Sequence, residues 1–174
     1  MPNAVIIDIT LAVLIVLARL FLFQLVIVKG RSMLSTLENK QVLWVTMLDY
    51  RLRAPRRHEV VICHYPGRMM RRIPFMPENF VKRVIGLPGE TVEIVEGVVH
   101  IDGAPLCEPY LDPAHTRFHG SRPPVTLGAD EYFVMGDNRD NSNDSRLVGP
   151  LQHKMIVGHA RRILWPLRKA RSLH

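Results

Sequence analysis

From Ala4 to Val28 the chain runs for 25 residues in which only Asp8, Thr10, Arg19 and Gln24 are polar. About 20 mostly apolar residues cross a bilayer core, so this pattern predicts one transmembrane helix, from about Val5 to Phe23. Arg19 is a costly charge within it. The next four residues, Leu25-Val26-Ile27-Val28, are rich in β-branched side chains and predict an extended exit from the membrane. A cleaved signal peptide would need a basic leader region and an A-x-A site, and neither flanks the stretch. A buried core helix is the remaining alternative.

Beyond Gly30 the period changes. Val42–Thr46, Glu59–Tyr65, Phe80–Ile85, Thr91–Val95, Val98–Ile101, Tyr132–Met135 and Met155–Trp165 are β-branched, aromatic or alternating runs, bounded by Pro and Gly. Glu96-Gly97 between two of them predicts a hairpin. No long stretch of 3.6-residue period follows. The expected fold is therefore mainly β, with coiled antiparallel sheets or a barrel-like domain behind one N-terminal transmembrane helix. The boundaries are residues 1–24 for the anchor and 25–174 for the β-rich domain. Residues 66–79 and 104–130 read as surface loops.

Charge adds a partner question. Lys plus Arg number 23 against 16 Asp plus Glu, a net charge of +7. Residues 1–28 hold only Asp8 and Arg19, which cancel, so the whole excess sits in the β-rich part. A basic domain suits nucleic acid or an anionic membrane surface equally. The cations after the apolar stretch, Lys29 and Arg31, would place that domain in the cytoplasm by the positive-inside rule. With 47% hydrophobic residues the chain is not disordered. Two cysteines, Cys63 and Cys107, exclude a disulfide scaffold and a four-cysteine zinc site.

Three stretches hold candidate chemistry. Ser32 follows the β-prone exit within a few residues of the bilayer. Lys82 sits in Phe80-Val81-Lys82-Arg83-Val84-Ile85; strand alternation puts it on one face with Phe80 and Val84. If that face is buried, desolvation lowers the amine pKa, and a neutral lysine can take a proton from a hydroxyl. An edge lysine reaching water is the plainer alternative. Gly136–Arg146 is a run of eleven residues without an apolar side chain, a structured turn in which Asp137, Asp140 and Asp144 can pair with Arg139 and Arg146. Calcium is disfavoured there, since Arg139 stands where a ligand is wanted and no Glu closes the loop. His115 and His119 lie four apart in a Pro-rich stretch, and His58 and His64 six apart in a strand. Neither pair has the further ligands that zinc needs, so no metal or other cofactor is expected.

Together these stretches resemble the bacterial type I signal peptidases, membrane-bound serine endopeptidases. Arg19–Gln24 resembles the family's segment leaving the membrane. Gly30-Arg31-Ser32-Met33-Leu34-Ser35-Thr36-Leu37 matches its nucleophile box and Arg57–Val61 resembles its R-G-D-[IV]-V strand. Lys82–Glu90 matches its lysine box, and Gly136–Arg146 its G-D-N-R-D-N-S-x-D-S-R box. The resemblance implies that Ser32 is the nucleophile and Lys82 the general base. By the same resemblance Ser142 orients the Lys82 amine, and Asp144 and Arg146 form an ion pair supporting that loop. The Ser32 backbone N–H contributes to the oxyanion hole, Met33 packs beside the dyad, and Val26, Ile27 and Val28 form an edge to which substrate adds as a strand. The implied partners are secreted preproteins, cut after small residues (A-x-A type), and membrane lipid, with no nucleic acid. The implied location is the plasma membrane, single-pass, with the catalytic domain outside the cytoplasm, against the positive-inside count. Three positions depart from the family: Ser35 and Leu25 stand where Pro is usual, and Gly30 has no hydroxyl to act as a second oxyanion donor. A self-cleaving Ser–Lys repressor and a non-catalytic, membrane-anchored basic module remain the alternatives.

Overall fold

The computed structural model describes residues 8, 10–11, 23–69 and 77–173. Most of the predicted membrane span therefore lies outside the described residues. Among the described residues no helix is long and apolar enough to cross a membrane. Phe23, expected at the end of a helix, instead opens strand β1 (Phe23–Ile27), because its backbone pairs with Thr46 of β2 (Val42–Thr46).

Two antiparallel sheets make up the described part. The larger has the order β1-β2-β11-β3-β4-β9-β10, with β12 beside β11. Its remaining strands are β3 (Val60–Met69), β4 (Pro77–Gly86), β9 (Glu131–Met135), β10 (Leu151–Gln152), β11 (Ile156–Trp165) and β12 (Arg171–Ser172). The smaller sheet, β7-β6-β5-β8, comprises β5 (Thr91–Val95), β6 (Val98–Ile101), β7 (Ala104–Pro105) and β8 (Arg122–Thr126). The only helical pieces after residue 23 in the described part are single turns, among them Asp49–Leu52 and Ser145–Val148.

Two expected loops are partly strand. The β3–β4 hairpin extends to Met69 paired with Pro77, so the ends of the 66–79 segment are strand; backbone pairing does not depend on whether the side chains are polar. Within 104–130 the chain forms β7, a 3₁₀ turn at Pro113–His115 and β8. His58, expected on a strand, lies in the turn before β3 with φ of 70°.

β4 is covered on both faces. Val84 packs with Val61, Cys63, Tyr65 and Val134 on one side, with Phe80 against the same cluster. Ile85 packs on the other with Val92 and Ile94 of the smaller sheet and with Phe133 and Met135 of β9. A third cluster joins Val26 and Val28 to Met33, Leu43, Val45 and Ile163. Burial on both faces is why two adjacent cations of β4, Lys82 and Arg83, are each only 2% exposed.

Candidate active site

β1 is the edge strand of the larger sheet, yet β1 and the start of β4 line one cleft. Three strands lie between them in the sheet, so the sheet coils until its edge faces its middle. The cleft holds about 540 Å³. Gln24–Val28 lie along it, Phe80 and Val81 face it, and Ser32 and Met33 also line it. The expected substrate edge splits by alternation. Val26 and Val28 turn into the core, whereas Leu25 and Ile27 are 66% and 58% exposed. Met33 is buried beside Val26 and Val28.

The segment after β1 turns sharply at Gly30, whose φ of 92° favours glycine over any residue with a Cβ. Ser32 follows, partly buried. Its carbonyl accepts the Asn138 N–H at 3.0 Å, and the Arg31 carbonyl accepts the Asn138 side-chain amide at 3.0 Å. The Ser32 segment and the polar loop 136–146 are thus fastened to each other. The fastening needs Gly136, because a Cβ there would collide with both the Ser142 hydroxyl and the Ser32 carbonyl.

Lys82 lies across from Val61 in the β3–β4 ladder. Its Nζ donates to Ser142 Oγ at 3.0 Å, its one hydrogen bond among the described residues. Burial is the largest influence and holds the amine below its ordinary value of 10.5; Asp144 opposes this and Arg146 adds to it. The amine is thus a cation that the protein has made easy to deprotonate. Cys63, on the same face, has its thiol pushed up to about 12 by burial. Cys63 and Cys107 are both free thiols, one buried and one exposed.

Asp144 sits behind Ser142. Its carboxylate accepts the Gly136 N–H at 3.0 Å and both Nε and Nη2 of Arg146, at 2.8 and 2.9 Å. Burial alone would raise its pKa; the Arg146 hydrogen bond and charge, the Gly136 N–H and the Ser142 hydroxyl outweigh that and hold it low. It also caps the turn Ser145–Val148 through the Arg146 N–H.

Two further ion pairs were not foreseen in their partners. Asp137 pairs with Arg83 of β4, Nε–Oδ1 at 2.9 Å and Nη2–Oδ2 at 2.7 Å, and not with a loop arginine. Arg139 reaches Glu108, with side chains 3% and 7% exposed, and its N–H donates to the His115 carbonyl at 2.9 Å. The 104–130 segment is therefore a brace on the polar loop as well as a surface feature. Ser35 joins the same brace, its hydroxyl donating to the Tyr110 carbonyl at 3.2 Å. The sequence offered one signal for these partners: alternation put Arg83 on the face opposite Lys82. Among the described residues no group of three or more His, Cys, Asp or Glu is placed to hold a metal ion.

A buried amine beside a hydroxyl, next to a cleft with an open strand edge and a second serine, suits base-assisted attack on a peptide carbonyl. Residues 3–165 match the family described as signal peptidase, peptidase S26. The chain is 36% identical to the signal peptidase I of Leptolyngbya laminosa over 94% of this chain and 81% of that protein. It is 35% identical to the signal peptidase I of Bacillus amyloliquefaciens over 98% of this chain and 89% of that one. A crystal structure of a signal peptidase I from Enterococcus faecalis aligns with a TM-score of 0.47 and 28% identity, over 62% of this chain and 97% of that one.

Proposed function

The chain belongs to the signal peptidase family, peptidase S26, and on that premise we propose that it is the endopeptidase that removes signal peptides from exported preproteins, with Ser32 as nucleophile and Lys82 as general base. The substrate lies extended in the cleft and adds to the free edge of β1. The neutral Lys82 amine takes the Ser32 hydroxyl proton as Oγ attacks the scissile carbonyl. The oxyanion receives the Ser32 backbone N–H. Lys82 then returns the proton to the leaving amine, and water hydrolyses the acyl-enzyme by the reverse path. Ser142 holds the amine in line, and the Asp144–Arg146 pair holds the loop that carries Ser142.

The observation that carries this reading is the burial of Lys82 with a hydroxyl, and no carboxylate, as its hydrogen-bond partner. A base needs a depressed pKa and a proton donor within reach, and a structural lysine needs neither.

The anchor belongs to the same proposal. The apolar stretch before β1 forms a single membrane span, and the domain from β1 onward lies outside the cytoplasm, where preproteins emerge. The outward face of β1 and β2 supports contact with lipid: Phe23, Leu25, Ile27 and Trp44 are exposed together. The test of topology is labelling of the exposed Cys107 by a membrane-impermeant maleimide on intact spheroplasts. Labelling is expected, and protection until lysis overturns the orientation.

The activity is tested by incubating the detergent-solubilised chain with a purified exported preprotein and mapping the cut by mass spectrometry. One cut after a small residue is expected, lost in Ser32→Ala. Unchanged cleavage by Ser32→Ala overturns the assignment of the nucleophile.

A further inference from the structure

Tyr65 of β3 is 4% exposed and shares a face with Val61 and Cys63. It touches the candidate site at two points. Its ring stacks on Phe80, with centroids 4.5 Å apart and planes 21° from parallel. Phe80 lies two residues before Lys82, on the same face of β4. The Tyr65 hydroxyl donates to the Asn143 carbonyl at 3.0 Å. Asn143 follows Ser142, whose Oγ accepts from Lys82.

The second contact is a lone one. Among the described residues, the Tyr65 hydroxyl is the hydrogen-bond partner of the Ser142–Asn143 backbone. The flanking positions are fixed otherwise, Asn141 by Asn138 and Asp144 by Gly136 and Arg146. Among the described residues the backbone between them rests on one phenol, while the Ser142 hydroxyl itself meets Lys82 and Asp144.

We propose that Tyr65 is a positioning residue for the proton-transfer step, holding the Ser142 hydroxyl against the Lys82 amine by pinning the Asn143 carbonyl. The inference rests on the reading of Lys82 as the base. Tyr65 suits the role because burial, with Cys63 and Asp144 nearby, pushes its phenol above the ordinary tyrosine range. It remains a donor at any pH at which the amine titrates. The stacked ring does a second thing: it backs Phe80, which lines the cleft. The hydroxyl therefore acts on kcat, and the ring acts on substrate binding as well.

The test uses the full chain in detergent with a purified preprotein, measuring kcat, KM and the pH profile for wild type, Tyr65→Phe and Tyr65→Leu. Tyr65→Phe keeps the ring and its burial. It is expected to lower kcat about three- to tenfold, the scale of one neutral hydrogen bond, with KM unchanged. A loosened Ser142 admits water to Lys82, which favours the ammonium, so the rising limb of kcat should move to higher pH. Tyr65→Leu is expected to raise KM as well. A merely structural hydroxyl lowers Tm and leaves kcat and the pH limb in place; that result, or a wild-type Tyr65→Phe, overturns the inference. Lys82→Ala in the same assay separates the two claims. If it is inactive while Tyr65→Phe is unaltered, the inference alone fails. If it still cleaves, the reading of the base fails, and the inference with it.

Discussion

Lys82 and Arg83 are sequence neighbours on one strand, each 2% exposed, and the sheet sends them to opposite faces. Arg83 enters a fully supplied pocket. Asp137 receives it in a bidentate pair, the His58 carbonyl and Thr36 hydroxyl take further N–H groups at 2.8 and 3.1 Å, and the Tyr110 ring lies 3.9 Å from its guanidinium carbon. Lys82 receives one hydroxyl, with apolar Cys63, Tyr65 and Phe80 on its side of the sheet. Burying a cation is costly unless it is paired. The protein meets that cost in full for Arg83 and leaves it largely unmet for Lys82. The difference separates a structural charge, which must never lose its proton, from an amine held where losing the proton is a relief.

The largest expected effect comes from erasing the difference at Lys82. Lys82→Arg installs a cation that does not deprotonate, and cleavage of a preprotein should fall by at least about 10³-fold, as for loss of a catalytic base. Lys82→Ala and Ser32→Ala should each do the same, and the double variant should be little worse than either. Initial rates of the four proteins decide this, and losses that add would break the dyad.

Next comes the other side of the strand. Asp137→Ala leaves Arg83 buried without its carboxylate, which costs about 3–5 kcal/mol. For a chain of this size that lowers Tm by roughly 6–20 °C. Arg83→Leu with Asp137→Leu should recover part of the loss. Thermal melts give the answer, and an unchanged Asp137→Ala would mean that the Arg83 pocket is not holding a charge at all.

Ser142→Ala removes the one hydrogen bond to the amine and leaves both partners of the Asp144–Arg146 pair in place, though Asp144 loses the Ser142 hydroxyl. A drop in kcat on the order of tenfold or more is expected, short of the roughly 10³-fold or greater loss expected for Lys82→Ala, with KM little changed. A normal kcat would show that the apolar wall alone orients Lys82.

The smallest effect is a pH dependence of stability. The Lys82 amine has a lower pKa folded than unfolded. The unfolded chain therefore binds more protons, and stability rises with pH through the interval between the two values. The favourable contribution is present above the unfolded lysine value and lost as pH falls through the folded one. Lys82→Met removes the titration. It should raise Tm relative to wild type more at pH 6 than at pH 10. The same depressed value puts the rising limb of activity below the ordinary lysine range. An equal Tm difference at both pH values would mean that burial costs this amine nothing.

Several elements were legible in the sequence. β2, β5 and β6 span the residues that alternation and the Glu96-Gly97 turn predict, because short-range pattern governs an antiparallel hairpin. The shared face of Phe80 and Val84 was legible too, since period two is a property of the strand itself. The lengths of β3 and β4 were not, because backbone pairing across Met69 and Pro77 needs a partner strand rather than a pattern. Tyr65 lay in a predicted strand, but nothing local connects it to Asn143, 78 positions away.

The sequence by itself determined the apolar first segment, the mainly β domain after it, and the boxes that hold Ser32, Lys82 and Ser142. Each of these depends on neighbours within a few residues. Asp144 meets Arg146 as the sequence implied, but tertiary structure alone decided the partners of Asp137 and Arg139. Loop spacing allowed Asp137 to meet Arg139 or Arg146, yet it pairs with Arg83, 54 positions away, and Arg139 pairs with Glu108, 31 away. Charges attract by distance in space and by the solvent around them, and spacing along the chain carries neither. The burial of Lys82 belongs to the same class. Its face was predictable, but its dryness comes from β3 and the polar loop closing over it, which only the coiled sheet brings together.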